Sequence, residues 1–346
     1  MSSSQPFIYY FPFGHERHFT PQHPERPERI EVIKERMVAR GWWSVYANLQ
    51  SVEIDDHVLQ KIHSPKYLQR LRNACERGEW FDQDTFLLPD SWEIALGTAG
   101  GAAAVARAVW AGNASTGFAI CRPPGHHATH QQAMGFCLIN NIAVAAEDLI
   151  QNFGAARIAI IDIDLHHGNG TQDIFWERGD VFYISTHQWP LYPGTGKVGD
   201  TGKGAGKMCT ANLPFPPGTG DEGFLVSMDE FILPLLDEFK PEICLVSTGF
   251  DPHWKDPLGH LQLSAGGYGQ CIQRIKTWAD ANCGGKIALF LEGGYNLEAM
   301  AACADASVSA LLNLPYDDLI GQSPFGPTDR WHQVLAQAKD IWQIPP

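Results

Sequence analysis

Short apolar runs alternate along this chain with longer stretches in which apolar positions recur every three or four residues. The short runs, at 7–10, 117–121, 157–163, 181–185, 243–248 and 286–291, are rich in β-branched and aromatic residues and read as strands. Stretches 28–39, 55–75, 91–110, 138–151, 222–239, 265–281 and 297–312 carry helical spacing; Pro65 after Ser64 splits the second, and Pro27 suits the first turn of the first. From residue 117 onward strands and helices take turns. That order predicts an α/β fold, a parallel sheet covered by helices on both faces. No repeat or linker interrupts the chain, so 1–346 reads as a single domain, with 316–346 as a surface extension ending in a helix near 329–342.

The segment around which the rest is organised is 158–170, IAIIDIDLHHGNG. An apolar strand here runs into Asp162, Asp164, His166, His167 and Asn169, and α/β enzymes place their chemistry at the carboxyl ends of such strands. If the chain stays extended through His166, alternation puts Asp162, Asp164 and His166 on one face with neighbours roughly 6–7 Å apart at Cα. Two of them could reach one metal ion. Carboxylate and imidazole without thiolate suit Zn²⁺ or a neighbouring divalent ion, and a catalytic site needs a third ligand from elsewhere.

The other strand ends supply candidates. The run at 117–121 leads into RPPGHHA with adjacent His126 and His127; 181–185 leads into Thr186 and His187; 243–248 leads into Asp251; and 286–291 leads into EGGYN with Tyr295. One His or Asp at such a place is ordinarily a cap or turn residue. In a parallel sheet, however, these termini gather at one edge, so His126, His127, Asp164, His166, Asp251 and Tyr295 should converge. His167 has no role that spacing assigns.

Composition narrows the class. Hydrophobic residues make up 44% and charged residues 18%, enough for a large core, and the net charge of −14 argues against a nucleic-acid partner. Eight scattered cysteines without a CxxC pair fit reduced thiols. Neither a basic-then-apolar leader nor a span of 18 apolar residues is visible, so the expectation is a soluble cytoplasmic protein without a membrane partner. A homo-oligomer is left open.

In order along the chain, HPERPERI (23–30), RPPGHHA (122–128), GFCLINN (135–141), DIDLHHGNG (162–170), PGTG (193–196), GFDPHWKDPLG (249–259) and LEGGYN (291–296) resemble the histone deacetylase family of amidohydrolases. The resemblance covers about 23–296. It implies a three-layer arginase-deacetylase fold with a central, mainly parallel eight-stranded sheet. By the family pattern, one zinc ion is held by Asp164, His166 and Asp251. His126 and His127 become the tandem histidines beside the reacting water, with Asp162 the partner of His126 and Asn169 that of His127. Many relatives carry Asp at this last position and the class II-like branch Asn, so the chain resembles a class II-like, bacterial or archaeal histone deacetylase-like amidohydrolase. Tyr295 would face the acyl oxygen. Phe136, after Gly135, and Tyr192 match the aromatic pair of a narrow acyl-lysine channel. Asp162, Asp164 and His166 with Ser185 and Thr186 match a potassium site built mostly from backbone oxygens, and Arg29 matches an internal-cavity arginine or pairs on a helix surface.

The implied reaction removes acetyl or another short acyl group from lysine side chains or related amides. An acetylated polyamine is the second substrate reading. Its animal branch carries a gatekeeper glutamate seven residues after the last zinc-binding Asp, where this chain has Leu258; Asp82, Asp84, Glu16 or Glu79 could still supply the charge. Two other readings are an arginase-like ureohydrolase with two manganese ions and a non-catalytic acyl-lysine binder.

Overall fold

In the computed structural model, which describes residues 5–345, one eight-stranded sheet runs through the molecule. The first residues of the segment read for a leader, 1–4, and the last residue of the carboxyl-terminal extension lie outside the described residues. The strands are β1 (Gln5–Tyr10), β2 (Ala47–Leu49), β3 (Ala114–Ala119), β4 (Ile158–Asp162), β5 (Val181–Gln188), β6 (Thr210–Phe215), β7 (Ile243–Thr248) and β8 (Ile287–Leu291). Their spatial order is β2-β1-β3-β8-β7-β4-β5-β6, and every adjacent pair is parallel. This is the α/β arginase-deacetylase architecture.

The burial pattern explains why these segments are strands. In β4 all five residues are buried, yet Ile158 and Ile160 face one apolar cluster while Ala159 and Ile161 face another. A strand with helices on both sides is apolar along most of its length, here until Asp162 at its carboxyl end, and successive side chains leave it in opposite directions. On one side the sheet meets helices Glu28–Ala39, Ala265–Asn282 and Leu297–Leu311; on the other it meets Asp56–Ile62, Pro65–Arg77, Ser91–Trp110 and Asn141–Phe153.

Local signals act as the sequence suggests in several places. Ser64 caps the helix that follows it, its Oγ accepting from the Tyr67 amide at 3.2 Å, with Pro65 in the first turn and Gly78 in the left-handed conformation at the far end. The 222–239 stretch is a helix with a π-turn at Met228–Ile232, just before Pro234, whose missing N–H would break a regular ladder. The last helix, Trp331–Trp342, is less peripheral than a surface extension implies: Trp331, Leu335 and Ala338 are buried in the cluster that holds Ala159 and Ile161, and the Trp342 ring lies 5.5 Å from that of Phe182. Among the described residues, no helix is long and apolar enough to cross a membrane.

A buried histidine ties the loops beneath the carboxyl edge of the sheet. His63 lies wholly inside, its Nδ1–H donating to the Thr129 carbonyl at 2.8 Å while its Nε2 accepts the Asn140 amide at 2.9 Å. Burial, with a smaller push from His130, lowers its pKa to about 3. The unfolded chain therefore takes up this proton near pH 6.5 and the folded chain does not, so the stabilisation is complete above pH 6.5 and is lost as pH falls toward 3. By pH 4 that linkage amounts to roughly 3 kcal/mol. In urea titrations, the stability advantage of wild type over His63→Asn should shrink from pH 8 to pH 4; a constant difference would show that His63 does not contribute.

Candidate active site

The segment after β4 does not stay extended. The strand ends at Asp162, and two turns closed by side chains follow: Asp162 Oδ1 accepts from the Asp164 amide at 3.2 Å, and Asp164 Oδ1 from the His166 amide at 2.7 Å. Short acidic side chains compete for nearby backbone donors in this way. The turns separate the residues that strict alternation would align. Asp164 and His166 swing toward Asp251, beyond β7, while Asp162 points to His126.

Asp164, His166 and Asp251 form a buried group whose candidate ligand atoms all lie within 4.8 Å of one another, the one such group found among the described residues. His166 Nδ1 is 3.3 Å from Asp164 Oδ1 and 3.1 Å from Asp251 Oδ2. Tetrahedral zinc with bonds near 2.0–2.1 Å would set its ligand atoms about 3.3 Å apart, so this donor set fits that ion in chemistry and spacing. The walls are backbone: a Cβ on Gly249 would collide with the Asp164 carboxylate, and one on Gly293 with that of Asp251. Remaining lone pairs are taken by main-chain donors, the Leu165 amide to Asp251 Oδ1 at 3.1 Å and the Gly293 amide to Asp164 Oδ2 at 2.8 Å.

Beside this group the tandem histidines have unlike partners. His126 Nδ1 sits 3.0 Å from Asp162 Oδ2, a carboxylate oxygen that also accepts from the Tyr183 hydroxyl at 3.0 Å; His127 Nδ1 sits 2.7 Å from Asn169 Oδ1. Their rings are 4.1 Å apart. Burial opposes charge on both. For His126 the carboxylates of Asp164 and Asp162 outweigh burial and raise the pKa to about 10; for His127 burial is joined by repulsion from His126 and His166, and the pKa falls well below the ordinary value. Neighbouring groups driven apart in this way are the arrangement that lets one stay cationic while the other accepts a proton.

The aromatic residues flank this floor. Phe136 is edge-on to Tyr295 at 5.8 Å, and Tyr192, 39% exposed, is edge-on to His127 at 5.2 Å and to His166 at 6.2 Å. Gly135 has φ +55° and is close to both His127 and Tyr192, so a side chain there would meet the two rings. Asp84 and Asp82 stand close enough to Tyr192 to add to the burial that raises its hydroxyl pKa, and Phe136 N donates to Thr85 Oγ1 on the same loop. Of the four acidic candidates for a substrate ammonium, then, these two are at the rim. Glu79 is paired with Arg77, and Glu16 lines a separate cavity of about 580 Å³ beside Arg17 and Lys34. Leu258 is half-buried against the core.

Ser185 and Thr186 lie inside β5, which runs three residues beyond its expected end because it keeps pairing with β6 up to Gln188. The Thr186 hydroxyl approaches the Asp162 carbonyl at 3.5 Å, and Ser185 Oγ is 2.9 Å from His187 Nδ1. His167 turns away from the site toward Thr195 and Gln172. Arg29 is wholly buried and donates to the carbonyls of Gly294 and Glu292, both at 2.6 Å, and to Glu25, which rules out the surface pairing.

Glu292 is a site residue that sequence reasoning missed. It is wholly buried, and its carboxylate accepts from the amides of Gly125 at 2.7 Å and His126 at 3.0 Å and from the Ser247 hydroxyl. It thereby fixes the histidine loop to the ends of β7 and β8. The available signal was its place at the end of a wholly apolar strand, where a carboxylate needs partners.

A parallel sheet whose carboxyl edge brings two aspartates and a histidine together under a histidine pair defines the histone deacetylase-type hydrolases. The Histone deacetylase domain family matches residues 23–311. A probable deacetylase of Archaeoglobus fulgidus is 40% identical over 81% of this chain and 78% of its own, and the histone deacetylase-like amidohydrolase of Pseudomonas aeruginosa is 35% identical over 84% and 77%. The crystal structure of the HDA15 HD domain superposes with a TM-score of 0.89 at 33% identity, covering 98% of this chain and 94% of that one. This chain belongs to the histone deacetylase family.

Proposed function

We propose that this chain is a single-domain, zinc-dependent amidohydrolase that removes acetyl or another short acyl group from lysine side chains. The observation that carries the reading is the Asp164–His166–Asp251 group, its ligand atoms within 4.8 Å of one another, set beside the His126–His127 pair with its unlike Asp162 and Asn169 partners. Zn²⁺ held there would supply Lewis acidity and bring the pKa of a water toward about 7.

The chain's own residues do the rest. His127, kept neutral and oriented by Asn169, takes the water proton during attack and returns it to the leaving amine. His126, cationic beside Asp162, offsets the negative charge that develops on the substrate. Tyr295 donates its hydroxyl proton in a hydrogen bond to the tetrahedral oxyanion. Phe136 and Tyr192 hold the lysine methylenes and exclude water. Asp162, Asp164 and His166 with Ser185 and Thr186 form a potassium site that stiffens the β4–β5 edge. The eight free cysteines suit a reducing compartment, and we place the protein in the cytoplasm.

The polyamine reading has one observation in its favour, the Asp82 and Asp84 carboxylates at the rim. Against it, Leu258 offers no partner for a distant ammonium, and an unpaired buried ammonium is costly. The ureohydrolase reading needs a second set of carboxylates, and Asp162 is committed to His126 and Tyr183. The test is a side-by-side comparison of kcat/KM for acetyl-lysine peptides, acetylputrescine and acetylspermidine. The peptides should be preferred at least about tenfold, the effect of roughly 1.4 kcal/mol of transition-state binding. Equal or better use of the polyamines would reverse the assignment.

A further inference from the structure

Tyr295 follows two glycines, so its position depends on what fixes the main chain around it. Upstream, Gly293 N donates to Asp164 Oδ2 at 2.8 Å and Gly293 O accepts from Phe250 N at 3.1 Å. Gly294, with φ +113°, adopts a conformation open only to glycine, and its carbonyl accepts from Arg29 Nε at 2.6 Å. Downstream, one buried side chain closes the loop. Asp256 Oδ2 accepts from the amides of Tyr295 at 2.6 Å and Asn296 at 3.1 Å, while Oδ1 accepts from the Leu258 amide at 3.0 Å.

These donors have nowhere else to go. Asn296 is the N-cap of helix Leu297–Leu311, its Oδ1 accepting from Ala299 N at 3.0 Å, so the amides just before the helix lack partners within it. A carboxylate placed there satisfies both amides and complements the positive end of the helix. Asn296 Nδ2 adds a bond back to the Lys255 carbonyl at 3.2 Å. The loop that carries Asp251 and the loop that carries Tyr295 are thereby joined through Asp256. Phe136 and the Arg29 guanidinium, 4.8 Å from the ring centroid, then limit the ring from two sides.

We propose that Asp256 is a positioning residue for the reaction: it acts through the Tyr295 main chain to hold the phenol at a fixed place relative to the Asp164–His166–Asp251 group. This rests on the role given to Tyr295 above. Asp256 itself bonds to main-chain amides and not to Asp164, His166 or Asp251. Its value to the reaction is geometric, since an oxyanion donor displaced by about 1 Å can cost on the order of 100-fold in rate.

Asp256→Asn leaves one acceptor oxygen for the three N–H groups of Tyr295, Asn296 and Leu258 and turns an NH2 toward at least one of them, and should lower kcat by about 10- to 100-fold, with KM changed less than about 2-fold and zinc content unchanged. Asp256→Glu keeps both oxygens and should recover part of the loss. The deciding measurement is a double-mutant cycle in the zinc-loaded enzyme. In a Tyr295→Phe background, Asp256→Asn should cost less than about 2-fold, because the group it positions is already gone. Equal losses in both backgrounds, or wild-type kcat for Asp256→Asn, overturn the proposal. Wild-type turnover by Tyr295→Phe alone would instead overturn the role of Tyr295, and the proposal with it. Should Asp256→Asn fail to fold, the same cycle is run with Asp256→Glu, whose shifted oxygens should cost a few-fold in kcat only where the phenol is present.

Discussion

If Asp164, His166 and Asp251 hold the proposed zinc, replacing Asp251 with Ala should abolish turnover and metal binding while leaving the fold in place. Asp251 is one of three groups in the cluster, and its loss leaves Asp164 and His166, which is too few for tight binding of a catalytic ion. Without the ion a water near neutral pH lacks nucleophilicity, as its pKa returns from about 7 toward 15.7. The loss of activity should therefore exceed that of any other single substitution considered, at least about 10⁴-fold on the scale set by removing the central group of a catalytic unit. Stability should fall less steeply, because removing Asp251 also relieves repulsion with Asp164, which contributes with burial to raising the Asp251 pKa. The check is paired: metal analysis of purified protein, and an acetyl-lysine assay with and without a chelator. Wild type should lose activity on chelation and regain it with one equivalent of Zn²⁺. Restoration only by two equivalents of Mn²⁺ would favour the binuclear reading, and insensitivity to chelation would remove metal from the mechanism.

The convergence of Asp251 with Asp164 and His166 shows which features of this edge are legible in the sequence. Six of the eight strands carry an apolar run, since helices on both sheet faces bury the middle of each, with polar residues such as Asp162, Ser185 and Ser247 at their carboxyl ends. The two unseen strands are edge strands. Ala47–Leu49 is short and only half-buried, and Thr210–Phe215 contains Pro214, which an edge tolerates but which argues against a strand by pattern. The convergence of strand ends then followed from parallel topology alone.

Geometry finer than one strand end was not legible. Strict alternation groups Asp162 with Asp164 and His166, but main-chain amides captured by Asp162 and Asp164 turn the segment, and Asp162 becomes the partner of His126. The supports were harder still to see. Glu292 and Asp256 are single acidic residues whose partners are amides 166 and 39 residues away or more nearby ones, and neither spacing nor residue type marks a carboxylate that serves backbone donors. Only the folded chain reveals that each buried carboxylate here answers a particular unsatisfied N–H.

Tyr295→Phe should lower kcat by about 100- to 1,000-fold, equivalent to roughly 3–4 kcal/mol of lost oxyanion stabilisation. The change removes one oxygen from a half-buried ring whose edge contact with Phe136 and whose stacking beneath Arg29 depend on the ring alone, so folding and metal content should be unaffected. Burial raises the Tyr295 pKa well above its ordinary value, which keeps the phenol protonated, and therefore a donor, at neutral pH. A donor acts on charge that appears only in the transition state, so KM should move little while kcat and kcat/KM fall together. The pH profile should keep its shape, since the proposed proton transfer runs through His127. His127→Ala, by contrast, should alter both the rate and its acid limb, because the group removed is the one that must be neutral to accept the water proton. If Tyr295→Phe changed the acid limb as His127→Ala does, or left kcat untouched, the division of roles between the phenol and the histidine would have to be redrawn.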